Sequence, residues 1–294
     1  MKTITGVKRP ILLPDCWEDL SPRQYIYTIG KLLELMAHQC TLTDFRIALL
    51  LKYTHYRPVL RFRPAKPEMK AIITENLVRL AETITFPLRS GNNGTELNNL
   101  FQRNPIPSLR IGRNTYPGKQ FDIGIVLRTD IKAREFADAF DSVRAFAETQ
   151  SGECLNTLCA ILYPAFPDHT RNLNSDHHRN FARVNYAVRY GIMIWFTGIA
   201  QYFSEHPVYR ILFAGTNNEE SERISLGMGE TIMHLSLVGF GSKTEMENSN
   251  LIDYFDLQIK SLKKMIADAR AQGAKTTDIA SHTHLSHNLI EQLS

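Results

Sequence analysis

Leu20-Ser21-Pro22-Arg23-Gln24-Tyr25-Ile26-Tyr27-Thr28-Ile29-Gly30-Lys31-Leu32-Leu33-Glu34-Leu35-Met36 holds both a helix start and the helix that follows it. Ser21 offers a hydroxyl to the free amides of a first turn, and Pro22 fits the first helical position. Gln24, third in the helix, reaches back to the cap, which completes a capping box. Leu20 and Tyr25 bracket the cap as a hydrophobic staple. Tyr25, Ile29, Leu32, Leu33 and Met36 then recur at three- and four-residue steps, the period of one buried helix face. Trp17 lies just upstream, placed to cover the helix end.

The same period recurs along the chain. A second helix is expected from Asp44 to Tyr53, capped by Thr43, with Phe45, Leu49 and Leu50 inward. Pro67 opens a third, carrying Met69, Ile72, Ile73, Leu77 and Leu80. Beyond residue 129, Ile131, Phe136, Ala139, Phe140, Val143 and Phe146 form one apolar face. Leu155, Leu158, Cys159 and Leu162 form another, ending at Tyr163-Pro164. Phe181, Val184, Val188, Ile192, Trp195, Ile199 and Tyr202 make the longest stripe, apolar nearly all round near Trp195, so this helix is expected to be the most enclosed. Val208 to Phe213 read as a short apolar turn. Ile224 to Leu237 and Leu251 to Ala269 read as the last two helices, the second ended by Gly273.

Residues 85–128 differ in kind. Prolines at 87, 105, 107 and 117 and glycines at 91, 94, 112, 118 and 124 interrupt any helical period. Gly91-Asn-Asn-Gly94 reads as a loop tip, and Ser108–Ile111 and Asp122–Leu127 as short strands that pair with each other. The fold expected is mainly α, a multi-helix bundle with a small irregular or β-hairpin insertion around residues 85–128. The linear partition is a helical lobe at 1–84, the connection at 85–128, a second helical lobe at 129–275, and a polar, His-rich, loosely held tail at 276–294, with one compact domain overall as the alternative.

The chain has 294 residues, 43% of them apolar and 22% charged, a globular composition. Apolar runs such as Gly191-Ile-Met-Ile-Trp-Phe196 fall far short of the ~20 residues that span a bilayer. The first residues, Met1-Lys-Thr-Ile-Thr-Gly-Val, have no apolar signal core, so no membrane partner and a cytoplasmic location are expected. Cys154 and Cys159 are not in C-x-x-C spacing and lie about 140° apart on a helix, so the four cysteines read as reduced core residues. Residues 1–130 hold 19 Lys and Arg against 11 Asp and Glu, a net of +8, while the remainder holds 15 against 19, a net of −4. Such asymmetry suits an acidic partner or self-association.

Chemical motifs are weak. Val238-Gly-Phe-Gly-Ser-Lys-Thr244 lacks the spacing of a phosphate loop and reads as a helix-ending turn, and Gly227-Met-Gly229 lacks a third glycine. Asp168-His169, Asp176-His177-His178 and His282-x-His284-x-x-His287 hold metal-ligand residue types without the spacing of a fixed tetrahedron. No G-x-S-x-G elbow occurs. The chain therefore reads as a non-enzyme with no cofactor, no catalytic residue and no metal site. A dispersed site at His169, His177 and His178 is the remaining catalytic reading. Arg57, Arg61, Arg63 and Lys66, interleaved with Tyr56 and Phe62, are the candidate contacts for nucleic acid: guanidinium groups for phosphates, rings for bases.

Leu13-Pro14-x-x-Trp17-Glu18-x-Leu20-Ser21-x-x-Gln24, Leu155-x-x-Leu158-Cys-Ala-Ile-Leu-Tyr163-Pro164 and Leu237-Val-Gly-Phe-Gly241 together resemble segments of uncharacterised bacterial prophage proteins, some encoded beside tail genes. The resemblance implies a helical, non-enzymatic protein that assembles or chaperones a phage-like tail, with a phage structural protein or another copy of itself as partner.

Overall fold

The computed structural model describes residues 1–4, 11–54, 66–91, 94–167, 169–174, 177–213, 235–236, 241–283 and 287–293. The protein is mainly helical, with four two-stranded antiparallel sheets among the described residues. It divides into two compact units, Met1–Ile106 with Val184–Trp195, and Pro107–Arg183 with Phe196–Ser294. This division cuts the 85–128 connection between Ile106 and Pro107.

In the first unit, β1 (Lys2–Ile4) pairs with β2 (Ile11–Leu13), and α1 (Pro22–Met36) begins at the expected capping box. Ser21 Oγ accepts from the Gln24 amide at 3.3 Å, and Gln24 Oε1 accepts from the Ser21 amide at 3.0 Å. Tyr25, Ile29 and Leu32 are buried. Trp17 is also buried, its ring edge-on to Tyr25 and Phe86 and stacked on Phe101 at 5.2 Å.

α2 (Leu42–Thr54) starts earlier than expected. Its cap is Thr41, not Thr43: Thr41 Oγ1 accepts from the Asp44 amide at 3.1 Å, while Asp44 accepts from the Thr41 amide. Asp44 reaches back from the third position, the role Gln24 plays in α1. Those hydrogen bonds to Thr41 hold the Asp44 carboxyl below its ordinary pKa. α3 (Pro67–Ala81) packs on α2, with only Ala81 fully buried and Met69 and Ile72 exposed. β3 (Leu88–Gly91) and β4 (Gly94–Leu97) close a hairpin where the loop tip was expected.

The second unit opens with two separate hairpins: β5 (Ser108–Ile111) with β6 (Asn114–Pro117), and β7 (Phe121–Ile123) with β8 (Leu127–Thr129). The runs at 108 and 122 thus pair locally and not with each other, because each has its own turn. Gly112, at φ 61°, supplies the first of these turns. α4 (Ala133–Thr149) and α5 (Gly152–Leu162) form an antiparallel pair joined through Gln150, in the left-handed region, and Ser151, which caps α5. Leu155, Leu158, Cys159 and Leu162 are fully buried, as their stripe predicts.

α6 (His169–Asn174), α7 (His177–Asn180) and a 3-10 turn at Phe181–Arg183 lead to α8 (Tyr186–Glu205). α8 contributes its first half to the first unit and its second half to the second. Val188, Ile192, Trp195 and Ile199 of the expected stripe are buried, while Val184 and Tyr202 are half-buried and Phe196 and Phe203, outside the stripe, are buried with it. α9 (Arg210–Phe213) follows. α10 (Lys243–Asn248) begins at Ser242 in a capping box with Glu245, so Ser242-Lys-Thr244 starts a helix, while the preceding Val238-Gly-Phe240 of the expected helix-ending turn lie outside the described residues. α11 (Leu251–Ala271) is capped by Asn250 and ends ahead of Gly273, at φ 81°. α12 (Thr276–Thr283) and α13 (His287–Leu293) occupy the segment expected as a loose tail. Ile279 and Ile290 supply its buried anchors. The helix expected at Ile224–Leu237 and the Gly227-Met-Gly229 pattern lie outside the described residues, apart from Leu235 and Ser236.

Gly191 lies where α8 meets Tyr25 and Ile29 of α1. Tyr25 donates its hydroxyl to the Gly191 carbonyl at 2.7 Å, and a Cβ on Gly191 would lie 3.0 Å from the Tyr25 ring and 3.3 Å from Ile29. Gly191→Ala is therefore expected to destabilise the fold by about 1–3 kcal/mol through overpacking. Gly30→Ala, whose Cβ would meet only Ala187 at 4.0 Å, is expected to be neutral or to stabilise by up to about 1 kcal/mol. Urea unfolding of the two variants checks the contrast.

Candidate functional site

The second unit carries an open groove of about 830 Å³, lined by Arg113–Pro117 on one side, Pro164–Phe166 on the other, and His177 and Asn180. One wall is β6. The register Ile111↔Asn114, Arg110↔Thr115, Leu109↔Tyr116 and Ser108↔Pro117 follows a two-residue turn, so residues 111 and 114, then 109 and 116, exchange hydrogen bonds. The Gly118 amide donates to the Pro107 carbonyl at 2.9 Å, which continues that alternation. Thr115 therefore points its N–H and C=O away from β5, and neither has a partner among the described residues. Leu109 and Tyr116 face inward and are buried, while Arg110 and Thr115 share the exposed face.

The opposite wall is irregular backbone that a single side chain shapes. Asn172 is 1% exposed. Its Oδ1 accepts from the Ala165 and Phe166 amides, both at 2.9 Å, and its Nδ2 donates to the Phe166 carbonyl at 2.8 Å. The Arg171 guanidinium lies 4.0 Å from the Phe166 ring centre, a cation–π contact that adds to the same wall.

The groove floor is aromatic. The His177 ring lies 4.9 Å from Tyr116, 5.0 Å from Phe181 and 6.2 Å from Phe166. Its Nε2 is 3.2 Å from the Tyr163 carbonyl, which only accepts, so Nε2 carries the proton. Burial pushes the His177 pKa below the ordinary 6.5; the Tyr163 hydrogen bond opposes that and neighbouring His178 adds to it. His177 is thus a neutral ring whose Nε2 proton holds the floor together. His178 is half-buried, so only one of the adjacent imidazoles turns fully inward.

Lys119 fixes the distance between the walls. Its amide donates to the Leu162 carbonyl at 2.8 Å, and its Nζ meets Glu135 at 2.8 Å and the Asp130 carbonyl at 3.2 Å. Glu135 also accepts from the Lys132 amide at 2.9 Å, so the buried ion pair is hydrogen-bonded at both ends.

His169, which sequence grouped with His177, instead pairs with Asp138 at 2.6 Å on α4. Asp138 meets Arg134, which reaches Glu247, and Glu247 meets Lys243. His169 is therefore hydrogen-bonded to one end of a chain of ion pairs. Among the described residues no three His, Cys, Asp or Glu side chains gather as metal ligands do, and no helix is long and apolar enough to cross a membrane.

Arg57, Arg61 and Arg63 lie outside the described residues. Lys66 is exposed and precedes the first turn of α3. The nucleic-acid reading therefore rests on the sequence of that segment alone. Sequence reasoning missed Asn172, Tyr116 and Arg113. Gly112-Arg113 between two β-like runs was the one local signal that a hairpin edge stood there.

Two outcomes test this construction. Asn172→Ala strands two amides and a carbonyl, and is expected to cost about 1–3 kcal/mol and to speed hydrogen exchange at Ala165 and Phe166. For His177, the unfolded chain binds a proton that the folded chain refuses, so the contribution is complete above pH 6.5 and is lost as pH falls toward the lowered folded value. His177→Phe removes that dependence. The stability of the wild type relative to His177→Phe should decline as pH falls through the region of the unfolded value of 6.5 and below it, read from urea midpoints.

No family model, curated protein or solved structure matches the chain.

Proposed function

We propose that the protein is a non-enzymatic interaction protein that works in the cytoplasm on the assembly of a phage-like particle, as a tail-assembly factor or chaperone. It holds a partner protein in the groove of its second unit. The observation that carries this reading is the groove itself: a preformed cleft with an open strand edge along one wall and an amide-templated loop along the other. Its chemistry is that of recognition, comprising main-chain donors and acceptors, a carboxamide, guanidinium groups and ring faces. The three prophage-like segments support the particle as the setting, and the charge asymmetry between residues 1–130 (+8) and 131–294 (−4) supports self-association as the second mode of contact.

Ala165 is an exposed lining residue, so Ala165→Trp fills the groove from the solvent side and leaves the core untouched. Affinity-tagged wild-type chain, recovered from cells producing the particle, is expected to bring down tail proteins, identified by mass spectrometry. Ala165→Trp is expected to lose them while keeping the wild-type melting temperature. Recovery of the chain alone, or of the same proteins in the same amounts with both versions, overturns the reading.

A further inference from the structure

We propose that the groove takes an acidic, extended polypeptide segment, laid along the outer edge of β6 as a third strand. This rests on the interaction reading above and names the chemistry of the partner. The edge supplies the backbone half of the recognition. Thr115 directs an N–H and a C=O outward, as derived from the pairing register. Pro117 directs a carbonyl outward and has no N–H to give. A polypeptide chain matches that alternation of donor and acceptor, whereas a nucleic-acid backbone brings acceptors alone to an edge whose outward groups are mostly carbonyls.

The side-chain half follows from charge and from the alternation of an added strand. The described segments around the groove, residues 108–117, 163–167, 169–174 and 177–183, contain Arg110, Arg113, Arg171, Arg179 and Arg183 and no carboxylate. Asp168 and Asp176 interrupt these segments in sequence and lie outside the described residues; counting both leaves a net of +3. All five arginines are exposed. A residue of the added strand opposite Tyr116 turns to the inward face, toward His177, Phe166 and Pro164, and is apolar. One opposite Thr115 turns to the outer face shared with Arg110, beside the Arg113 turn, and is acidic. At roughly 3.3 Å per residue, the four residues of β6 engage a segment of four or five residues. The recognised pattern is an acidic residue alternating with an apolar one.

The test selects random twelve-residue peptides displayed on phage against the purified full-length chain, then measures the recovered peptide, fluorescein-labelled, by anisotropy. The expected result is enrichment of alternating acidic and apolar residues, with affinity that falls as salt rises. Arg113→Glu is expected to weaken binding several-fold. Thr115→Pro, which removes the outward amide and keeps the pairing with β5, is expected to weaken it about three- to tenfold, and Thr115→Val to leave it unchanged. Thermal melts confirm that each variant folds. Failure to enrich any peptide, enrichment of basic or neutral sequences, binding indifferent to Thr115→Pro, or displacement of the peptide by a labelled oligothymidylate overturns the proposal. Loss of tail proteins with Ala165→Trp alongside any of these results removes only the acidic-strand assignment. Retention of the proteins with that variant removes the interaction reading itself.

Discussion

The buried Lys119–Glu135 contact is the constraint on which the second unit depends. Lys119 stands in the linker between two short hairpins, and Glu135 in the first turn of α4. Glu135 is buried and Lys119 largely so, and taking charge out of water costs free energy unless the polar atoms find partners. Here the Lys132 amide is a second donor to Glu135 and the Asp130 carbonyl a second acceptor for Lys119, while the Lys119 amide reaches the end of α5. Hairpin, linker and helix pair are thereby held in one register, and the groove is the space that register leaves between β6 and the turn after α5. A pair of apolar residues would satisfy burial equally well, but would not fix direction: the geometry comes from hydrogen bonds with defined donors and acceptors.

The aromatic residues fill the rest of the unit without specifying it so sharply. Phe136, Phe196, Phe203 and Phe255 pack with centroid separations of 4.9–6.1 Å, mostly edge to face. Such contacts contribute area and a modest geometric preference. His177 links this apolar packing to the groove, since it is packed as a ring and yet donates to Tyr163. Its neutrality suits both, because a charged imidazole is costly to bury among rings.

The helical skeleton was legible because its signals are local. Capping boxes such as Ser21–Gln24 and stripes such as Val188–Ile199 need only the residues within a few turns, and both stand where their spacing put them. Thr41 displaced Thr43 as a cap because reciprocal bonding with Asp44 decides between adjacent candidates, and propensity alone does not. Ile279 and Ile290 were hidden in a polar tail because a single buried isoleucine per short helix leaves no periodic stripe to read. The groove was the least legible part. Asn172 acts on Ala165 and Phe166 through a turn whose shape exists only in three dimensions, and Thr115 matters through its main chain, which its side chain does not advertise. The β5–β6 pairing differs from the expectation for a related reason: two β-like runs invite pairing with each other, while Gly112, in the left-handed region, turns the first back on β6, and residues 124–126 turn the second back on β8.

An open strand edge is a hazard as well as a binding surface, since it accepts any extended chain that reaches it. β6 limits that hazard by being short and by ending in proline. With four residues, of which Asn114 and Tyr116 spend their amides on β5 and Pro117 has none, Thr115 is left as the strand's single outward donor. One donor does not hold a strand in water, where a net hydrogen bond contributes about 1 kcal/mol. A bound segment must draw the rest of its free energy from the walls, which gives specificity to Phe166, Pro164 and the surrounding arginines. The edge sets the register, and the side chains decide which sequence stays.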